Sequence, residues 1–261
     1  IAAVNDNGIG CAGIAGGGKG RGGVKIMTCQ LFDGMNSCSL AMEARAMKYA
    51  ADNGAVILQC SWGYHSSKSN MIMGYIPGPA TEEEWAALYP LEKEAIDYFV
   101  NCAGSPNGVI DGGLAIFASG NEYAAMSSFP AAYSKCISVS ALAADYTPAS
   151  YSNYGSEVWL SAPGGDLEYY GTPGQSDNQY DENGILCEQG AIFSTLVLNG
   201  VAGYGYYEGT SMACPHVSGV VALGLSYAKK LGKKFTREEL TSLLLTSVND
   251  IDGFCTGSKN Y

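Results

Sequence analysis

The sequence predicts an α/β protein built as a doubly wound, mostly parallel sheet with helices on both faces. Three observations carry this expectation. Short β-rich apolar runs alternate with longer amphipathic stretches, the order that builds a parallel sheet through βαβ crossovers. Hydrophobic residues fill 47% of the 261 positions and charged residues only 15%, below the ~25% charged share of an average domain and incompatible with disorder or a coiled coil. The 35 glycines follow no Gly-X-Y period, so they mark tight turns and close backbone approaches rather than a collagen repeat.

Taken in order, residues 24–31 read as a strand, 40–53 as a helix closed by Gly54, and 55–62 as the next strand, together one βαβ unit. A helix over 90–103 comes next, with short strands at 114–119, 136–141 and 158–161. Residues 211–231 form an apolar, small-residue helix, and 236–247 an amphipathic one opened by a capping box, Thr236 with Glu239. Two stretches, 66–89 and 164–190, break the rhythm. Periodic segments resume directly after each, so they read as surface insertions within a single domain spanning 1–261. No internal repeat is visible.

Charge narrows the function. Fourteen Lys and Arg against 25 Asp and Glu give a net charge of −11, which repels a phosphate backbone and argues against nucleic acid as a partner. No apolar run approaches the ~20 residues of a membrane-spanning helix. The nine cysteines show no CxxC spacing, so metal binding through sulfur is not expected. Cys29, Cys60 and Cys136 lie in apolar runs and read as buried thiols. Cys38, Cys102, Cys187 and Cys255 lie in loops, where one or two disulfides would be placed.

The strongest local signal is GTSMACPHVSGVVAL, residues 209–223. Ser211 follows Gly209-Thr210 and opens a long helix, with Thr210 available as N-cap and Pro215 early enough to be tolerated. A hydroxyl there lies beside free backbone N–H groups and the positive dipole end, where a developing oxyanion is stabilised. Ser211 is therefore a candidate nucleophile. The competing reading is a plain helix start, since Ser and Thr favour that position.

Read whole, GTSMACPHVSG closely resembles the nucleophile segment of the subtilisin-like serine peptidases, the subtilases. Three further motifs occur in that family's order. LAIFASGNE supplies Asn121 in a turn after a strand, VILQCSWG supplies Ser61, Trp62 and Gly63, and residues 133–164 resemble the segment between the oxyanion asparagine and the serine. The resemblance implies a serine endopeptidase working through an acyl-enzyme on Ser211, with the Asn121 amide and the Ser211 N–H binding the oxyanion. It also implies a substrate strand laid against Ser61, Trp62 and Gly63, a second wall near 34–37, and a specificity pocket lined by Ala118, Ser119 and Gly120. Trp62 favours apolar substrate side chains.

A subtilase triad needs Asp, then His, then Ser in chain order. The opening IAAVNDNGIGCAGIAGG resembles the segment just after the family's catalytic histidine. The resemblance thus implies a domain lacking its first strand or strands and the start of the histidine helix, with the triad Asp and His upstream of Ile1 and this polypeptide alone inactive. Only two histidines are present. His216, five residues past Ser211, is turned ~140° from it on an ideal helix and matches a non-catalytic family position, while His65 lies on the substrate side.

The resemblance implies no required cofactor, but a structural calcium in the Val4 to Cys11 loop with Asn5, Asp6 and Asn7. It further implies protein or peptide substrates, an N-terminal propeptide or missing N-terminal segment as partner, and a secreted or cell-envelope location. Two other readings compete. One is a catalytically dead peptide-binding module. The other is a dinucleotide-binding oxidoreductase, since Gly8, Gly10 and Gly13 satisfy GxGxxG and Asp33 lies about 20 residues on. That fingerprint requires a helix opening inside the glycines, and IAGGGKGRGG is a poor helix. GTSMA also falls one residue short of the α/β-hydrolase GxSxG elbow.

Overall fold

Four parallel strands form the centre, and alternation along them divides the core in two. A computed structural model describes residues 1–255 except 19, 35, 107, 168–177, 181–185, 189 and 199. Helix α1 (Leu40–Asp52) is capped by the Ser39 hydroxyl, which accepts from Met42 N–H, and Gly54 closes it in the left-handed region at φ +87°. Strand β1 (Ile57–Cys60) comes next, then α2 (Glu82–Leu88), α3 (Pro90–Cys102), β2 (Leu114–Ala118), β3 (Cys136–Leu142) and β4 (Leu160–Pro163). The sheet order is β1-β2-β3-β4, every pair parallel. An antiparallel hairpin, β5 (Ile192–Leu198) with β6 (Val201–Tyr207), precedes α4 (Thr210–Lys230) and α5 (Arg237–Thr246).

Leu114, Ile116 and Ala118 of β2 face a core shared with α4 and α5, while Ala115 and Phe117 face the opposite core beneath α1 and α3. The period-2 alternation of a strand buried on both faces therefore sets the two layers. Thr236 and Glu239 form the expected capping box at the start of α5.

Three expectations need correction. Residues 24–31 form no strand; only Phe32–Asp33 pairs, with Asn36–Ser37. A strand needs a neighbour, and among the described residues β1 pairs on one side only, with β2. Ile26 is accordingly 58% exposed despite its apolar surroundings. Second, residues 66–89 are more than a surface insertion. They include α2, whose Trp85 is fully buried and stacks on Phe129 with ring centroids 5.3 Å apart. Third, Cys38, Cys102 and Cys255 are free thiols, and Cys29 is only partly buried. The Cys187 side chain and most of 164–190 lie outside what is described.

Candidate active site

Helix α4 begins differently from the sequence expectation. Gly209, not Thr210, is the N-cap, with φ +144°, a conformation glycine alone adopts freely. Thr210 is drawn away by a longer-range partner. Its backbone N–H and its hydroxyl both donate to Asn121 Oδ1, at 2.9 and 2.7 Å, and the hydroxyl accepts from Gly120 N–H at 3.3 Å. The helix start is thereby tied to the turn after β2. This double occupation of Oδ1 fixes the amide plane and turns Nδ2 away from Thr210. A Cβ placed on Gly209 would lie 3.6 Å from the Ser211 nitrogen and 3.7 Å from Asn121 Nδ2. Two donors, with the Met212 sulfur also 3.6 Å away, therefore border one small space that only glycine leaves open. As the second residue of α4, Ser211 has no intrahelical acceptor for its N–H.

Ser211 is held against the end of β1. Its Oγ donates to the Ser61 carbonyl at 3.3 Å, and Ser61 Oγ donates to the Ser211 carbonyl at 2.8 Å. Gln59 Nε2 supports Ser61 Oγ at 2.7 Å. These bonds draw the chain out of the sheet ladder, so β1 ends at Cys60 and Ser61, Trp62 and Gly63 continue beyond it. No backbone hydrogen bond ties Trp62 or Gly63 to a neighbouring strand among the described residues. The Trp62 indole packs edge-on to Phe117 at 5.3 Å, which turns part of its apolar surface to the core. Ala118 and Ser119 are buried and Gly120 is partly exposed. Gly34, Asn36 and Ser37 are exposed in a short hairpin, and Met35 lies outside the described residues.

Neither histidine hydrogen-bonds Ser211. His65 Nδ1 lies 3.2 Å from the Ile76 carbonyl and its ring packs on Tyr75. His216 Nδ1 lies 2.8 Å from the Met212 carbonyl, one helical turn back, and its ring borders a cleft shared with Ala12, Ile14 and Tyr207.

Among the described residues no helix opens between Gly8 and Gly20, so the GxGxxG string lacks the dipole end that a pyrophosphate requires. In the Val4 to Cys11 loop, Asn5 Oδ1 is buried without a hydrogen-bond partner, and Asn7 Oδ1 accepts from Ile9 N–H at 3.0 Å. Among the described residues, no cluster of three or more His, Cys, Asp or Glu side chains is placed to hold a metal. Burial pushes the Cys60, Cys136 and Cys214 thiols up, Cys214 to about 11, which suits packing rather than reactivity.

Sequence reasoning misses a buried carboxyl pair beside the substrate segment. Glu92 of α3 is fully buried and accepts from Trp85 Nε1 at 2.5 Å and from the Tyr64 hydroxyl at 3.4 Å. Glu43 of α1, 9% exposed, meets it, and Glu43 Oε1 is without a partner. Burial first, and then the Glu43 charge, push the Glu92 carboxyl up to about 8.

The chain belongs to the subtilase family, whose pattern matches residues 1–259. It is 28% identical over 242 residues to the calcium-dependent protease of Nostoc sp., covering 85% of this chain and 32% of that protein. It is 40% identical over 113 residues to halolysin of Haloferax mediterranei, covering 43% and 17%. It is also 34% identical over 143 residues to the extracellular basic protease of Dichelobacter nodosus, covering 54% and 20%. The chain thus spans a third or less of these relatives' length. Among solved structures, a protease from Pseudoalteromonas arctica superposes over 98% of this chain and 63% of its own, with TM-score 0.62 and 23% identity. A lanthipeptide protease superposes over 88% and 64%, with TM-score 0.59 and 20% identity. Both likenesses show the fold. No helix among the described residues is long and apolar enough to cross a membrane.

Proposed function

We propose that this chain carries the nucleophile half of a serine endopeptidase that cleaves protein or peptide substrates through an acyl-enzyme on Ser211. The observation that carries the reading is the convergence of the Ser211 nitrogen and Asn121 Nδ2 on the space beside Gly209, where backbone and amide donors would stabilise an oxyanion. Ser211 attacks the scissile carbonyl. The Ser211 N–H and the Asn121 amide take the charge that develops on its oxygen. Substrate lies as an added strand along Ser61, Trp62 and Gly63, whose main chain is not taken up by a neighbouring strand. Ala118, Ser119 and Gly120 form the floor of the specificity pocket, and residues 34–37 the second wall.

The nucleophile needs a base, because a serine hydroxyl is not deprotonated at neutral pH by itself. We place the triad Asp and His on a segment outside these 261 residues. Among the described residues, the edge of β1 away from β2 has no neighbouring strand and the run 24–31 joins no sheet, which supports this, since one further strand would extend both. By this reading the 261-residue polypeptide alone turns over no substrate. An N-terminal propeptide and export from the cell fit the same picture. The Val4 to Cys11 loop suits calcium, because the buried, unpartnered Asn5 Oδ1 is the kind of hard oxygen that calcium takes. Asn5 and Asp6 would hold the ion, with Asn7 bracing the loop, and the bound charge would tie the loop together.

Proteolysis of a denatured protein tests the reading. Protein carrying its natural upstream residues degrades the substrate, while its Ser211→Ala variant and the 261-residue polypeptide do not. Equal peptide binding without cleavage in all three would instead mark a binding module.

A further inference from the structure

We propose that Asn153 is a positioning residue for the oxyanion donor Asn121, acting through the turn 119–124; the inference rests on the reading of Asn121 as that donor. Asn153 is fully buried in the stretch before β4. Both ends of its amide are spent on that one turn. Oδ1 accepts from the backbone N–H groups of Glu122 and Ala124, each at 3.0 Å. Nδ2 donates to the Ser119 carbonyl at 3.0 Å and to the Glu122 carboxylate at 2.5 Å. The main chain adds two bonds, from Asn153 N–H to the Gly120 carbonyl at 3.0 Å and from Ser119 Oγ to the Asn153 carbonyl at 3.3 Å.

These contacts bracket Asn121 on both sides, and none of them touches it. The amide of Asn153 thus uses its two acceptor and two donor positions in full, as a buried amide must to offset its desolvation. The turn needs such a template. Gly120 at φ +111° and Tyr123 at φ +51° both lie in the left-handed region, which a non-glycine residue holds only when its surroundings impose it. Gly120 and Asn153 are also matched in space, because a Cβ on Gly120 would strike Asn153 Nδ2. Thr210 sets the rotation of the Asn121 side chain, and Asn153 sets the path of the backbone that carries it. An oxyanion donor acts over a narrow distance window, and a displacement near 1 Å costs about a hundredfold in rate.

The test compares wild type with Asn153→Ala and with Asn153→Asp, which keeps the acceptor and loses both donors. In the 261-residue chain, amide hydrogen exchange at 120–124 is expected to rise about tenfold or more in both variants, while β2 and α4 stay within about twofold. In protein that phosphonylates on Ser211, Asn153→Ala lowers kcat about ten- to a hundredfold with KM within about twofold. The Asn121→Ala/Asn153→Ala double variant is then no slower than Asn121→Ala, because one acts through the other. Unchanged exchange in the turn, a change confined to KM, or a double variant slowed by the product of the single effects would overturn the proposal. Wild type that never phosphonylates would overturn the peptidase reading instead, and the exchange measurement would still decide the role of Asn153.

Discussion

Ser61 and Ser211 hydrogen-bond each other reciprocally, each hydroxyl donating to the other's carbonyl, at 2.8 Å from Ser61 and 3.3 Å from Ser211. The pair joins two segments 150 residues apart, and it places the nucleophile directly beside the main chain along which substrate would lie. Ser61→Ala removes the shorter bond and leaves Gln59 Nε2 with only the Cys214 sulfur, at 3.5 Å. The expected loss is about 1 kcal/mol, read as a melting temperature lower by about 2–4 °C. An unchanged melting temperature would show that α4 is anchored elsewhere.

Asn121→Ala should lower kcat about 10²–10³-fold, a range taken from the corresponding asparagine of subtilisin itself. KM stays nearly constant, since the bond strengthens only as the oxyanion forms. Gly209→Ala is expected to fall similarly, for two reasons. Its φ of +144° is strained for alanine, and the added Cβ enters the space between the two donors. Steady-state kinetics on a chromogenic peptide check both; a Gly209→Ala enzyme with unaltered kcat would displace the oxyanion site from that space.

The Glu43 and Glu92 pair predicts a pH dependence of stability. The groups facing it are Tyr64 after β1, Trp85 of α2 and the Cys60 thiol of β1, and neither carboxyl makes a salt bridge among the described residues. Glu92, pushed up to about 8 from an ordinary 4.5, holds a proton in the folded state that the unfolded chain loses near pH 4.5. The folded state therefore binds more protons across that window. Its stability contribution is present at acid pH and is lost as pH rises from about 4.5 to 8, with a slope of up to about 1.4 kcal/mol per pH unit. Glu92→Gln, which still accepts from Trp85 and donates to Glu43, should flatten the curve. Identical melting curves against pH for the variant and wild type would refute this.

Calcium binding at Asn5 and Asp6 predicts chelator sensitivity. Calcium at a hundred times its dissociation constant should raise the melting temperature by about 5–10 °C over EDTA. Asn5→Ala should abolish the difference. Equal melting with calcium and EDTA in wild type would argue against the site.

How much of the fold and site is legible in the sequence depends on the range of the forces involved. Helix α1 is visible because its apolar period and Gly54 lie within one turn of the residues they govern. β2 is visible because Leu114–Ala118 is a continuous apolar run, as a strand buried on both faces should be. Residues 24–31 mislead because β propensity describes a surface that fits a sheet, while pairing requires a neighbour that local sequence does not specify. Thr210 reads as a cap because its competing partner, Asn121, lies 89 residues away. Asn153 carries no signal at all, since an asparagine after Tyr-Ser reads as a turn until its four bonds to 119–124 are seen. Ser211, Asn121 and Ser61 stand out by motif, and the structure brings all three to one place.

The most direct test is phosphonylation of Ser211. Protein carrying its natural upstream residues is treated with a biotinylated fluorophosphonate, digested and read by mass spectrometry. The account predicts one adduct, on Ser211, lost in Ser211→Ala and slowed in Asn121→Ala. No adduct, or an adduct on another serine, would contradict it.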